Sequence, residues 1–349
     1  MEFKRNTDNY INQMDDVRKF LKNNPDIVAV PGTDSLRLYF EGKQLLFVKD
    51  GKWKKYSKGY DDYIKKYVKD DNLFWKKGKE KKECFLNPET LKGIKAGFCE
   101  GLAIDKERKS EQLIAMKYQS YKPDRYSVCD MEATIPKGDL KGTTRGEGKQ
   151  AEIDLIAICP EKKSILLIEY KCQQPAVTSG VRESLDKWNV DVKIKDGKTI
   201  GEKKNIVAHF KDYLAILEGC KNERFVKELI KSYNYMAQLK KQPLINITDG
   251  SDELKEYVQN MRILFLFTNK PMEGVEGKNN LTENLYKNSR DYLIKCKEMY
   301  RTELTGKKKK AEYIDNAENT RCLAAVSPEK VNLNDKLFTT IETLKYPNS

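Results

Sequence analysis

Residues 152–173 read EIDLIAICPEKKSILLIEYKCQ. Two apolar runs flank the polar turn PEKK and carry Glu152, Asp154, Glu169 and Lys171 where a buried strand would favour Val or Ile. Strand side chains alternate between faces, so Glu152 and Asp154 share one face of the first run, and Glu169 and Lys171 share one face of the second. A hairpin centred between Glu161 and Lys162 sets Asp154 opposite Glu169 and Glu152 opposite Lys171. Directly opposed side chains have Cβ atoms about 5 Å apart, close enough for two carboxylates to share a cation. Ile156, Ile158, Ile165 and Leu167 extend the same face, so the polar cluster ends an otherwise apolar surface, as a site at a cleft would.

Opposed carboxylates repel and are costly to desolvate, which a hard divalent ion between them would offset. Oxygen ligands favour Mg2+ or Mn2+ over zinc. Such an ion polarises a phosphodiester oxygen and lowers the pKa of a bound water, while Lys171 beside it could orient that water or balance charge on phosphate. The pattern is one for phosphodiester hydrolysis. An ordinary cross-strand ion pair is the competing reading, and the apolar continuation of the face argues against it.

Working outward, the spacing predicts a helix over 105–119, a strand over 126–136 and a Gly-rich polar loop over 137–150 before the quoted pair. After it come a hairpin insertion over 190–200, helices over 206–219 and 224–241, and an apolar strand over 262–268. The tail from about Leu281 mixes helix and strand and contains a solvated KKKK run at 307–310. Towards the N-terminus, a helix over 10–22 precedes IVAV, SLRLYF and KQLLFVKDGKWKKYS, whose intervening PGTD, EGK and KDGK turns read as a small antiparallel sheet. A helical YDDYIKKYVKDD follows, and the KKGKEKKE segment over 76–83 marks a boundary. The expectation is an α+β domain over 1–86 and an α/β domain over 87–349.

A D, about a dozen residues and E-x-K on adjacent strands of a helix-strand-strand-strand-helix-strand core resembles the PD-(D/E)XK nuclease superfamily, with its restriction-endonuclease-like fold. The matching residues are Asp154 and Glu169-Tyr170-Lys171, within EIDLI and LLIEYKC; Ile153 stands where the proline would be. The resemblance covers roughly 100–270 and implies an α/β fold with a mixed central sheet flanked by helices. It also implies metal ligation by Asp154 and Glu169, assistance of the attacking water by Lys171, and Mg2+ (or Mn2+) as cofactor. Members often place a Glu on the first core helix near the metal, for which Glu111 is the first candidate and Glu107 the second. By the same analogy the substrate is nucleic acid, DNA ahead of RNA, with a place in defence against foreign DNA.

Further candidates carry two readings each. Glu152 is a ligand or a partner of Lys171, and Glu132 in the preceding strand could face the site. Gln173 could hydrogen-bond phosphate or water, or simply end the strand. His209 could approach the scissile phosphate or be structural. Lys137, Lys141, Arg145 and Lys149 could wrap nucleic acid, or belong to a simple connection. The segment 52–82 contains twelve lysines among Trp53, Tyr56, Tyr60, Tyr63, Tyr67, Phe74 and Trp75. Helical spacing there favours inward-packed rings beneath a basic contact face over a base-stacking platform.

Composition agrees with these readings. With 349 residues the chain can bury a substantial core, and a formal net charge of +13 attracts polyanions, most simply nucleic acid, while an acidic partner protein fits it equally well. No apolar run is long enough to span a bilayer and MEFKRNTDNYINQMDD is no signal peptide, so the expectation is cytoplasmic with no membrane partner. The eight cysteines show no Cys-x-x-Cys spacing, which argues for reduced thiols. His209 is the single histidine, which excludes chemistry needing two, and there is no P-loop, no G-x-S-x-G and no G-x-G-x-x-G after a strand. The competing function is a catalytically silent nuclease fold that binds nucleic acid or a partner; an activating ligand or partner on the N-terminal domain, or a homodimer, is compatible with either.

Overall fold

The computed structural model describes residues 3–55, 61–69, 88–101, 106–136, 151–172, 193–195, 198–200, 206–219, 223–268, 283–307, 314, 321–327 and 333–344. The chain begins with α1 (Asp8–Ile11) and α2 (Met14–Asn23), then β1 (Val28–Pro31), β2 (Leu36–Phe40), β3 (Lys43–Lys49), β4 (Lys52–Lys55) and α3 (Asp61–Ile64). It continues with α4 (Pro88–Gly101), α5 (Lys106–Lys117), β5 (Ser127–Ile135), β6 (Ala151–Cys159), β7 (Ser164–Lys171) and the hairpin of β8 (Lys193–Lys195) and β9 (Lys198–Ile200). Then follow α6 (Ile206–Gly219), α7 (Glu223–Leu239), α8 (Asp252–Gln259), β10 (Met261–Thr268), α9 (Glu283–Gly306), β11 (Cys322–Ser327) and β12 (Thr339–Thr340).

The protein is mixed α/β. Strands β1 to β4 form a separate antiparallel sheet in sequence order. A mixed six-stranded sheet has the order β12-β11-β10-β7-β6-β5. Strands β5, β6 and β7 run as an antiparallel meander, whereas β10 lies parallel to both β7 and β11, because α6 to α8 carry the chain back across the sheet.

Both faces of the six-stranded sheet are covered, so its strands are apolar on alternate and intervening positions alike. Ile156, Ile158, Ile165 and Leu167 pack with Ile263, Phe265 and the α6 residues Phe210, Leu214 and Leu217. Leu155, Ala157, Leu166 and Ile168 pack on the other face with Ile114 and Ala115 of α5. The four-stranded sheet shares this core through Leu36, Leu38, Leu46 and Val48, and the N-terminal segment joins it: the Phe3 ring lies tilted 4.8 Å from Phe225, and Tyr10 meets Tyr235 edge-on at 4.9 Å. Asp130 of β5, fully buried, is ion-paired to both Arg5 and Arg37, which ties the N-terminal segment and β2 to the large sheet.

Several expectations change. The helix expected over 10–22 is broken between Ile11 and Met14 into α1 and α2. The helix expected after residue 60 is the single turn α3, and Tyr63 and Tyr67 are exposed rather than packed inward; Ile64 and Val68 take the buried positions. Trp53 is buried, while Tyr56, Tyr60, Phe74, Trp75 and the boundary segment over 76–83 lie outside the described residues. Helices α4 and α8 have no counterpart in the sequence reading. Cys99, Cys129, Cys159, Cys172, Cys296 and Cys322 are free thiols.

Candidate functional site

The β6–β7 hairpin adopts the register expected from its polar turn, with Leu155 opposite Ile168, Ile156 opposite Leu167 and Cys159 opposite Ser164. The ladder stops at Leu155. One step beyond, the Asp154 carboxylate accepts a hydrogen bond from the Tyr170 N–H at 2.9 Å, so the side chain replaces the next rung. Glu169 and Lys171 end β7 opposite Phe265 and Phe267 of β10, on the face that α6 covers.

Helix α6 presents His209 and Tyr213, one turn apart, to Glu169. His209 Nδ1 is 3.1 Å from Glu169 Oε1. The Tyr213 hydroxyl donates to Glu169 Oε2 at 2.8 Å and accepts from the Asp154 N–H at 3.2 Å. Lys171 Nζ lies 2.8 Å from Glu169 Oε1, 3.5 Å from Asp154 Oδ2 and 2.6 Å from Glu107 Oε1, and donates to the Tyr170 carbonyl at 2.9 Å. Helix α5 supplies Glu107 and Glu111 to the same sheet end. Asp154, Glu169 and His209 can each place a ligand atom within 4.8 Å of the others, and so can Glu107, Glu111 and Asp154.

Glu169 is fully buried and Lys171 nearly so, which makes their charges interdependent. Burial alone would raise Glu169, but His209 and Lys171 overturn that and hold the carboxylate well below its ordinary range. Burial, together with the Glu169 charge, pushes Asp154 up to about 7. Burial works against the Lys171 ammonium, yet Asp154, Glu169 and Glu107 outweigh it and keep the amine protonated. Burial likewise opposes a charge on His209, and Glu169 reverses this, raising it to about 9. Glu111 is raised well above its ordinary value by burial and then by Asp154, Glu132 and Glu107.

Two buried oxygens bear on a cation. Glu111 Oε2 has no hydrogen-bond partner among the described residues, and Glu169 Oε1, although close to Lys171 and His209, accepts no well-oriented hydrogen bond. A buried polar oxygen without a donor is costly. A donor set of carboxylates with one imidazole fits a divalent ion, and these two oxygens are where it would find free acceptor capacity.

The structure thus brings together Asp154, Glu169, Lys171, Glu107, Glu111 and His209. Glu132, held at φ 49° just past a bulge in β5, ion-pairs with Arg108 at 3.1 Å. Glu152 stands opposite Thr134 of β5, and belongs to neither metal-competent group. Gln173, Lys137, Lys141, Arg145 and Lys149 lie outside the described residues. Tyr213 was not anticipated; its place one turn after His209 in an otherwise apolar helix was the available signal. Comparison with known proteins finds no family model that matches the chain, and no match among the curated proteins or the solved structures.

Proposed function

We propose that the protein is a metal-dependent nuclease with a restriction-endonuclease-like core, hydrolysing phosphodiester bonds of nucleic acid, DNA ahead of RNA. The observation that carries this is the convergence of Asp154, Glu169 and Lys171 at one end of two paired strands, with the ammonium 2.8 Å from one carboxylate and 3.5 Å from the other. The chain order of α5, the β5–β7 meander, α6 and parallel β10 supports the fold assignment, and the net charge of +13 supports a polyanionic substrate.

Asp154 and Glu169 would hold the ion, Mg2+ or Mn2+, and Glu107 and Glu111 could add ligands to it. When bound, the ion polarises a phosphodiester oxygen and lowers the pKa of water. The chain does the rest. Tyr213 fixes one oxygen of Glu169 and leaves the other directed at the cluster. Asp154 is fixed through Tyr170 N–H. Lys171 remains cationic, so it can donate to an incoming water or to a phosphate oxygen as negative charge grows. The apolar face behind the cluster keeps bulk water away from these charges, which strengthens each of them.

Calorimetric titration of Mg2+ and Mn2+ into the wild type and Asp154→Asn tests the reading. Saturable binding that the variant loses is expected. Equal binding by both proteins, or none by either, would leave a silent fold that binds nucleic acid or a partner.

A further inference from the structure

We infer that His209 is a direct metal ligand, and that it makes this centre a mixed nitrogen–oxygen site selective for a first-row transition ion, with Mn2+ bound in preference to Mg2+. The inference rests on the metal-binding reading above and adds the identity of the ion. Three observations support it. His209 is the single histidine of the chain, and one of its ring nitrogens lies within 4.8 Å of ligand atoms of both Asp154 and Glu169. Nδ1 lies 3.1 Å from Glu169 Oε1, close enough for both atoms to contact one ion. Tyr213, one turn along the same helix, engages the other oxygen of Glu169, so α6 frames the carboxylate from both sides with the imidazole on the cluster side.

The chemistry of the donor set gives the selectivity. Mg2+ demands oxygen ligands and gives up its waters reluctantly, whereas imidazole nitrogen suits transition ions. An all-carboxylate centre would accept either hard ion. Replacing one oxygen by Nδ1 favours the transition ion while adding no negative charge to a cluster that already holds Asp154, Glu169, Glu107 and Glu111. A positioning residue would behave differently: a histidine that only oriented Glu169 would support both ions alike.

The test compares wild type with His209→Gln and His209→Ala, each checked for fold by circular dichroism and thermal melting. Mn2+ and Mg2+ affinities are measured by calorimetry, and three-pulse electron spin echo spectroscopy is recorded on the Mn2+-loaded proteins. The expected result is Mn2+ bound roughly tenfold or more tightly than Mg2+ by wild type, a loss of about tenfold for Mn2+ in the variants, and Mg2+ affinity changed by less than about twofold. The echo modulation from a coordinated nitrogen should be present in wild type and absent in His209→Gln. Bound Mn2+ with no nitrogen modulation, or equal weakening of both ions, would overturn the assignment while leaving the metal site intact. Failure of the wild type to bind either ion would overturn the metal site itself, and this assignment with it.

Discussion

The Tyr213 hydroxyl donates to Glu169 Oε2 at 2.8 Å and accepts from the Asp154 N–H at 3.2 Å, so one side chain on α6 joins the two acidic residues of the hairpin. It stands where the β6–β7 ladder ends, and it ties the Glu169 carboxylate to the backbone of β6 at Asp154. Tyr213→Phe removes the donor from a fully buried carboxylate. The expected cost is about 1–3 kcal/mol of stability, with metal affinity falling about 10–100-fold. Thermal melting and calorimetry check both; an unchanged metal affinity would show that Glu169 is oriented by other means.

Lys171 balances Glu107, Asp154 and Glu169 in a buried setting. Lys171→Met leaves those carboxylates without their cation, and without divalent ion it should cost about 3–5 kcal/mol. Added Mn2+ should then raise the melting temperature of the variant more than that of the wild type, since the ion supplies the missing positive charge. Equal shifts would place the cation site away from Lys171.

Asp130 holds Arg5 and Arg37 together beneath the four-stranded sheet. Asp130→Ala strands the buried Arg5 guanidinium and the partly buried one of Arg37, and a loss of about 3–5 kcal/mol in denaturant unfolding is expected. The double variant Arg5→Met, Asp130→Ala should lose less than the sum of the two single changes. Strict additivity would show that the pair contributes no coupling.

The hairpin was legible because a polar turn and strict alternation leave one register that keeps Ile156, Ile158, Ile165 and Leu167 on a common face. Asp154, Glu169 and Lys171 stood out for the same reason, as charges interrupting that face. Glu107 and Glu111 came from resemblance alone, since a charged helix N-terminus is ordinarily solvated. Tyr213 was hidden because a tyrosine at helical spacing reads as core, and most of its ring is core. Helix α8 is short, and its start signal was present: the Ser251 side chain accepts from the Leu254 N–H at 3.2 Å. Arg5 and Arg37 lie 125 and 93 residues from Asp130, a separation over which no local pattern operates. Tyr63 and Tyr67 show the converse failure: their helical spacing is real, but the helix is a single turn and the apolar side it buries is that of Ile64 and Val68.

The most direct measurement is cleavage of supercoiled plasmid, circular single-stranded DNA and a structured RNA by the purified protein with Mg2+, with Mn2+ and with EDTA, beside Lys171→Ala. The expected result is metal-dependent cutting of at least one circular DNA, abolished by EDTA and lost in the variant. Cutting that survives in EDTA or in Lys171→Ala, or a well-folded protein that neither cuts nor binds metal, would contradict the assignment of Asp154, Glu169 and Lys171 as a nuclease centre.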